Sequence, residues 1–160
     1  MIPRTFARIA SLAVLLTAAA ALLMFSQVAL RAASDPWIPS QTVQPADLLK
    51  ELSDSKSAPT IVFVGFNRLY TAGHIKGAQN HGMAGNEAGL LELKTWASSL
   101  PRSSKLVIYC GCCPMDHCPN LRPAFAALRD LGFTKLRVLL LPTDFAVDWA
   151  DKGYPFDRGQ

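Results

Sequence analysis

Residues 1–109 and 119–160 contain no cysteine, and that absence narrows the chemistry before any motif is considered. With no cysteine close behind the apolar N-terminal run, lipoprotein attachment has no support. With no second cysteine pair to close a tetrahedral site, any metal would draw all its ligands from one loop, unlike a zinc ribbon. An excess of one charge sign is also missing from the body of the chain. Of the 16 Lys and Arg, Arg4, Arg8 and Arg31 precede residue 34; the 13 that remain face 12 Asp and Glu. The formal charge of +4 is therefore mostly N-terminal and gives no argument for nucleic acid as a partner. Neither an internal repeat nor a low-complexity stretch is present.

What the N-terminus does have is Ile9 to Leu30, 22 residues without a charge, behind Arg4 and Arg8. A basic start followed by the apolar core Ile9–Phe25 reads as an export signal, with small residues near Ala29, Ala32 and Ala33 as cleavage positions, none a clean Ala-x-Ala. The run is also long enough to remain as an inner-membrane anchor over residues 9–30. In both cases the two arginines stay inside and the domain goes out. The sequence thus predicts a signal peptide or anchor helix over 1–33, a Pro-rich linker over 34–40 and one domain over 41–160, periplasmic or otherwise extracytoplasmic.

Within the domain, Thr42-Val43 suggests a short first strand, and Pro45 to Leu52 a helix with proline in its first turn. Thr60 to Val64 is a continuous β-branched run that reads as a central strand buried on both faces. A polar turn follows, then Tyr70 to Asn80, where glycines flank a segment leading to an edge strand. Glu87 to Leu100 carries leucines at helical spacing and stops at Pro101. Lys105–Tyr109 and Leu136–Leu141 read as strands. Arg122–Leu131 reads as a helix closed by Gly132, and Thr143–Lys152 as a last helix capped by Gly153. Strands alternating with helices imply an α/β fold with a mainly parallel sheet covered on both faces. Trp96 and Trp149 fall at helical positions expected in the core, and His74 and His81 read as structural and loop residues.

All four cysteines lie between Cys110 and Cys118, in the stretch Cys-Gly-Cys-Cys-Pro-Met-Asp-His-Cys that joins a strand to a helix. A thiol at the end of a buried strand, facing the N-terminus of the next helix, meets free amide groups that favour its thiolate, and on that ground Cys110 is the expected nucleophile. Cys112, Cys113 and Cys118 are candidate assisting or redox thiols. A Cys113–Cys118 disulfide would close a short loop, whereas adjacent Cys112 and Cys113 are poorly disposed to bond. A second thiol could instead resolve a persulfide or sulfenic acid on Cys110. His117 is a candidate base beside Asp116, and Arg122, in the first helical turn, a candidate anion holder. The competing reading is a metal site of Cys110, Cys112, Cys113, Cys118 and His117 for Cu(I), zinc or an iron–sulfur centre.

Three segments in order resemble the rhodanese-like sulfurtransferase family from about Gln41 to Asp157. Tyr70 to Ala78 is similar to its Gly-His-Ile-Pro-Gly-Ala signature, Val107-Ile108-Tyr109-Cys110 to the strand delivering its catalytic cysteine, and Val138 to Pro155 to its C-terminal strand, helix and Gly-Tyr-Pro ending. Two features depart from the family pattern. Gly65, Phe66 and Asn67 stand where the family carries Asp-x-Arg, and the active-site loop is enlarged and cysteine-rich. The resemblance implies a three-layer fold and a ping-pong transfer in which Cys110 becomes a persulfide, with Arg122 holding an anionic donor. Its implied partners are a small sulfur donor and a thiol acceptor, and no cofactor. A cysteine loop facing a helix also suits oxyanions, so a phosphatase or arsenate reductase with Arg122 as closing arginine is a weaker alternative. A non-catalytic metal-binding or thiol-redox module on the same scaffold remains the main competing class.

Overall fold

The apolar runs that lack any alternation become the middle of a parallel sheet in the computed structural model, which describes residues 35–159. The expected signal or anchor segment over 1–33 lies outside the described residues, and among those described no helix is long and apolar enough to cross a membrane. In chain order the elements are β1 (Thr42–Val43), α1 (Pro45–Leu52), β2 (Thr60–Phe63), α2 (Asn67–Ala72), β3 (His74–Ile75), β4 (Gln79–Asn80), α3 (Glu87–Ser98), β5 (Lys105–Tyr109), α4 (Leu121–Asp130), β6 (Lys135–Leu139) and β7 (Phe156–Asp157). Five strands form the main sheet in the order β1-β6-β5-β2-β4, every neighbouring pair parallel.

Helices cover both faces, giving three layers. Because strand side chains alternate, Leu106, Ile108 and Cys110 turn to one side of β5 and pack with Leu93 and Ala97 of α3 and Leu121, Ala124, Phe125 and Leu128 of α4. Val107 and Tyr109 turn to the other side, onto Leu48 of α1, Tyr70 of α2 and Trp149. Register fixes this parity across strands, with Ile61 beside Val107 and Phe63 beside Tyr109. Each fully buried Leu, Ile or Phe contributes about 1.5–3 kcal/mol relative to exposure, so a one-residue slip of β5 would forfeit both layers at once. Cys110 therefore inherits its direction from the strand that ends just before it.

The structure differs from the sequence reading in four places. The polar turn before Tyr70 is a helix, α2, started by the Phe66 carbonyl accepting from Leu69 N–H (2.8 Å) and Tyr70 N–H (3.2 Å) without a capping side chain. The Tyr70–Asn80 stretch does lead to an edge strand, β4, but its Gly-His-Ile part forms β3, which pairs antiparallel with β7 in a second, two-stranded sheet. The expected final helix over Thr143–Lys152 narrows to a π-helical turn, Ala146–Ala150. There the Asp148 carboxylate accepts from the N–H groups of Thr143 (2.6 Å) and Asp144 (3.2 Å), holding the preceding residues outside the helical ladder. Trp149 is fully buried as expected, but Trp96 is only half-buried and stacks on the His81 ring, centroids 3.9 Å apart. Gly132 does close α4 in the left-handed conformation, φ 91°.

Candidate active site

The carboxyl ends of β2 and β5 open onto a cavity of about 420 Å³ lined by Phe63, Gly73, Cys110, Cys112, Phe145 and Arg158, among others. This is the edge of a parallel α/β sheet where ligands ordinarily bind. Cys110, the first residue beyond β5, is 1% exposed and lies on the cavity floor. Its Sγ is packed so closely on the chain just beyond β2 that a Cβ at Gly65 would approach it to 2.9 Å. Cys112, half-buried, is the more exposed of the two thiols that line the cavity.

Gly111 between them sets the geometry. Its φ of 70° is left-handed, and a Cβ there would lie 2.7 Å from the Phe145 Cβ. The Phe145 N–H donates to the Gly111 carbonyl (3.1 Å), so the turn is tied to the segment after β6. This reversal carries Cys112 back over Cys110, the two Sγ atoms 3.1 Å apart, and Cys113 Sγ stands 3.1 Å from Cys112 Sγ. Cys118 returns the loop to the cluster, and the Sγ atoms of Cys110, Cys112 and Cys118 all lie within 4.8 Å of one another. All four thiols are free. The three mutually close sulfurs form a donor set suited to a soft cation. His117 takes no part in it, being exposed on the 3₁₀ turn Met115–His117 and bonded to Asp116 at 3.0 Å.

Cys118 stands just before α4, and its thiol is lowered to about 6, its closeness to the Cys110 thiol being the largest cause, with burial opposing and the Asn120 and Leu121 amides assisting. Cys110 is pushed well up, by its closeness to Cys118 first and by burial second. Cys113 is pushed up to about 12, chiefly by burial and then by its contact with Cys112.

Arg122 stands away from the cavity. Its Nη2 pairs with Asp35 at 2.6 Å and its guanidinium lies 5.9 Å from the Trp37 ring, so it pins the linker to α4. The cation at the cavity wall is Arg158, from beyond β7, with Asp144 and Asp151 as the acidic lining residues.

No protein-family profile and no curated protein matches the sequence. Solved structures do match the fold. The rhodanese-like domain of the Alr3790 protein from Anabaena is 26% identical with a TM-score of 0.54, over 74% of this chain and 79% of that one.

The chain has the rhodanese-like fold.

Thiosulfate sulfurtransferase from Pseudomonas aeruginosa aligns at TM-score 0.52 and 19% identity, over 74% of this chain and 19% of its own. EanB, in a structure carrying a cysteine persulfide with ergothioneine, aligns at TM-score 0.54 and 20% identity, over 73% of this chain and 28% of its own. Within this rhodanese-like frame, His74 is structural, as expected: it is buried, its Nδ1 is 2.8 Å from the Tyr70 carbonyl and its ring stacks on Tyr70.

Asn120 is the site residue that sequence reasoning misses. Fully buried, it donates from Nδ2 to Cys110 Sγ (3.3 Å) and accepts at Oδ1 from Gly85 N–H (2.8 Å), joining the loop to the segment before α3. Its place immediately before a helix is the available signal, since Asn there ordinarily caps; here it makes no cap and serves the thiol instead. Replacing Asn120 with Ala leaves the Gly85 N–H without that acceptor, and thermal unfolding should show a loss of about 2 kcal/mol. A change below about 0.5 kcal/mol would mean the bond to Gly85 is not holding the loop.

Proposed function

We propose that this chain is a sulfurtransferase-type enzyme in which Cys110 takes a sulfane sulfur from a small donor, becomes a persulfide, and passes the sulfur to a thiol or other nucleophile. The observation that carries this reading is the position of Cys110: the first residue beyond the central strand of a rhodanese-like fold, lining a cavity beyond the carboxyl ends of the strands. Cys118, whose Sγ lies within 4.8 Å of Cys110 Sγ and whose thiol is lowered, is the neighbour we assign to take up the Cys110 proton as the sulfur is attacked. Phe63, Phe145 and Phe156 make the cavity walls apolar, which suits a low-charge donor, and Arg158 is the cation available to an anionic one. Arg122 is not assigned the donor, because Asp35 occupies it.

The test is a single turnover with thiosulfate and, separately, with cysteine persulfide. The reading predicts one sulfite, or one free cysteine, released per chain and none after prior alkylation; no burst with either donor contradicts it. A second reading, a soft-metal module, draws on the three sulfurs within 4.8 Å. Native mass spectrometry of protein recovered from cells distinguishes it, since stoichiometric metal lost on denaturation would favour that module. We also propose export, with residues 9–30 acting as signal or inner-membrane anchor. The same spectrum tests it: a mass short of about thirty residues means cleavage, and the full mass on a membrane-bound chain means an anchor.

A further inference from the structure

The geometry points to a second activity built on that persulfide: we propose that Cys112 resolves it, releasing sulfide and leaving a Cys110–Cys112 disulfide, so that the site reduces sulfane sulfur as well as carrying it. This inference rests on the sulfurtransferase reading. Cys112 Sγ lies 3.1 Å from Cys110 Sγ before any sulfur has arrived. The contact is built into the loop: Gly111 at φ 70° reverses the chain, the Phe145 N–H fixes its carbonyl, and Phe145 stands where any side chain at residue 111 would go. Two thiols held together in this way react with an effective concentration that an external acceptor must exceed to intercept the sulfur. The pairing also replaces the Cys113–Cys118 bond suggested by loop length alone.

The chemistry balances without an outside oxidant. The Cys110 thiolate attacks the sulfane sulfur of thiosulfate, forming Cys110–S–S⁻ and expelling sulfite. Cys112 then attacks Cys110 Sγ; the Sγ–S bond breaks, the Sγ–Sγ bond forms, and the outer sulfur leaves with the Cys112 proton as HS⁻. The sulfane sulfur gains two electrons and the two cysteines lose them. A dithiol reductant restores both thiols by exchange, becoming a disulfide itself, and half-buried Cys112 is the more accessible sulfur of the pair.

The experiment uses the full chain, fully reduced and freed of reductant, treated anaerobically with thiosulfate and, in separate samples, cysteine persulfide. Donor turnover, sulfide and loop-peptide mass are followed together. In the wild type the inference expects one sulfide per chain and a loop peptide lighter by about 2 Da, mapped as Cys110–Cys112. In Cys112→Ser it expects the sulfide released per donor consumed to fall at least tenfold, and Cys110 to retain about 32 Da removable by reductant. Persistent persulfide with no sulfide in the wild type overturns it, as does undiminished sulfide release or a Cys110–Cys118 disulfide in Cys112→Ser. Sulfur recovered on Cys112 also overturns it, since that is transfer and not reduction. If neither protein turns over a donor, it is the sulfurtransferase reading that has failed, and this inference falls with it.

Discussion

Cys110→Ser should lose sulfur transfer by about a thousandfold or more while keeping its fold. Serine nearly matches the thiol in volume, so the close approach of residue 110 to Gly65 is retained, and its hydroxyl still offers Asn120 Nδ2 an acceptor. What disappears is the nucleophile: an alcohol in this cluster has no stable anionic form near neutral pH, and an oxygen analogue of the persulfide does not form. Circular dichroism and a thermal melt within a few degrees of wild type, together with absent sulfite release, are the expected pair of results. Full transfer in the variant would move the nucleophile to Cys112, Cys113 or Cys118.

Trp149→Ala should produce the largest loss of stability, about 3–5 kcal/mol, equivalent to about 10–20 °C in the melting temperature of a domain this size. The indole is fully buried, packs edge-on to Tyr154 at 5.2 Å, and donates from Nε1 to the Pro155 carbonyl at 2.9 Å. Those contacts fix the chain that enters β7, and β7 with the residue after it supplies Phe156 and Arg158 to the cavity. Activity should therefore fall even where the variant is still folded, because one wall of the cavity loosens. Trp149→Phe keeps most of the packing and loses the hydrogen bond, and should cost about 1–2 kcal/mol. An alanine variant melting within about 2 °C of wild type would mean that this wall is held by other contacts.

These two residues also mark what was legible in the sequence. The two central strands are legible because β2 and β5 carry the unbroken apolar runs Ile61–Val64 and Leu106–Tyr109, which water would penalise anywhere except between two helical layers. From β5 alone, period-two alternation sends Cys110 to the α3–α4 side. Trp149 was legible as core by the same spacing argument, although the helix expected around it is a five-residue π-turn, since the Asp148 carboxylate takes up the Thr143 and Asp144 N–H groups. Arg122 was not legible: its position in the first turn of α4 suggested an anion holder, and only the folded chain brings Asp35 and Trp37 against it. Helix α2 was missed because it has no side-chain cap. The pairing of β3 with β7 joins distant segments that carry no pattern linking them.

Cys118 precedes the start of α4 by three residues and Cys110 by eleven, so the amides freed at that helix end reach Cys118 first. The resemblance to rhodanese-like proteins directed attention to Cys110, and the strand does deliver Cys110 to the cavity floor. In the function proposed above, Cys110 receives the sulfur and Cys118, whose thiol is lowered, assists.

The most direct measurement is rapid-quench mapping of the loop peptide: reduced full-length chain is mixed with thiosulfate or cysteine persulfide, stopped with an alkylating agent at successive times, and digested. The account predicts that the added sulfur, about 32 Da, appears first on Cys110, in step with release of sulfite or cysteine. First appearance on Cys112, Cys113 or Cys118, or release of donor product with no sulfur ever carried by Cys110, would contradict it.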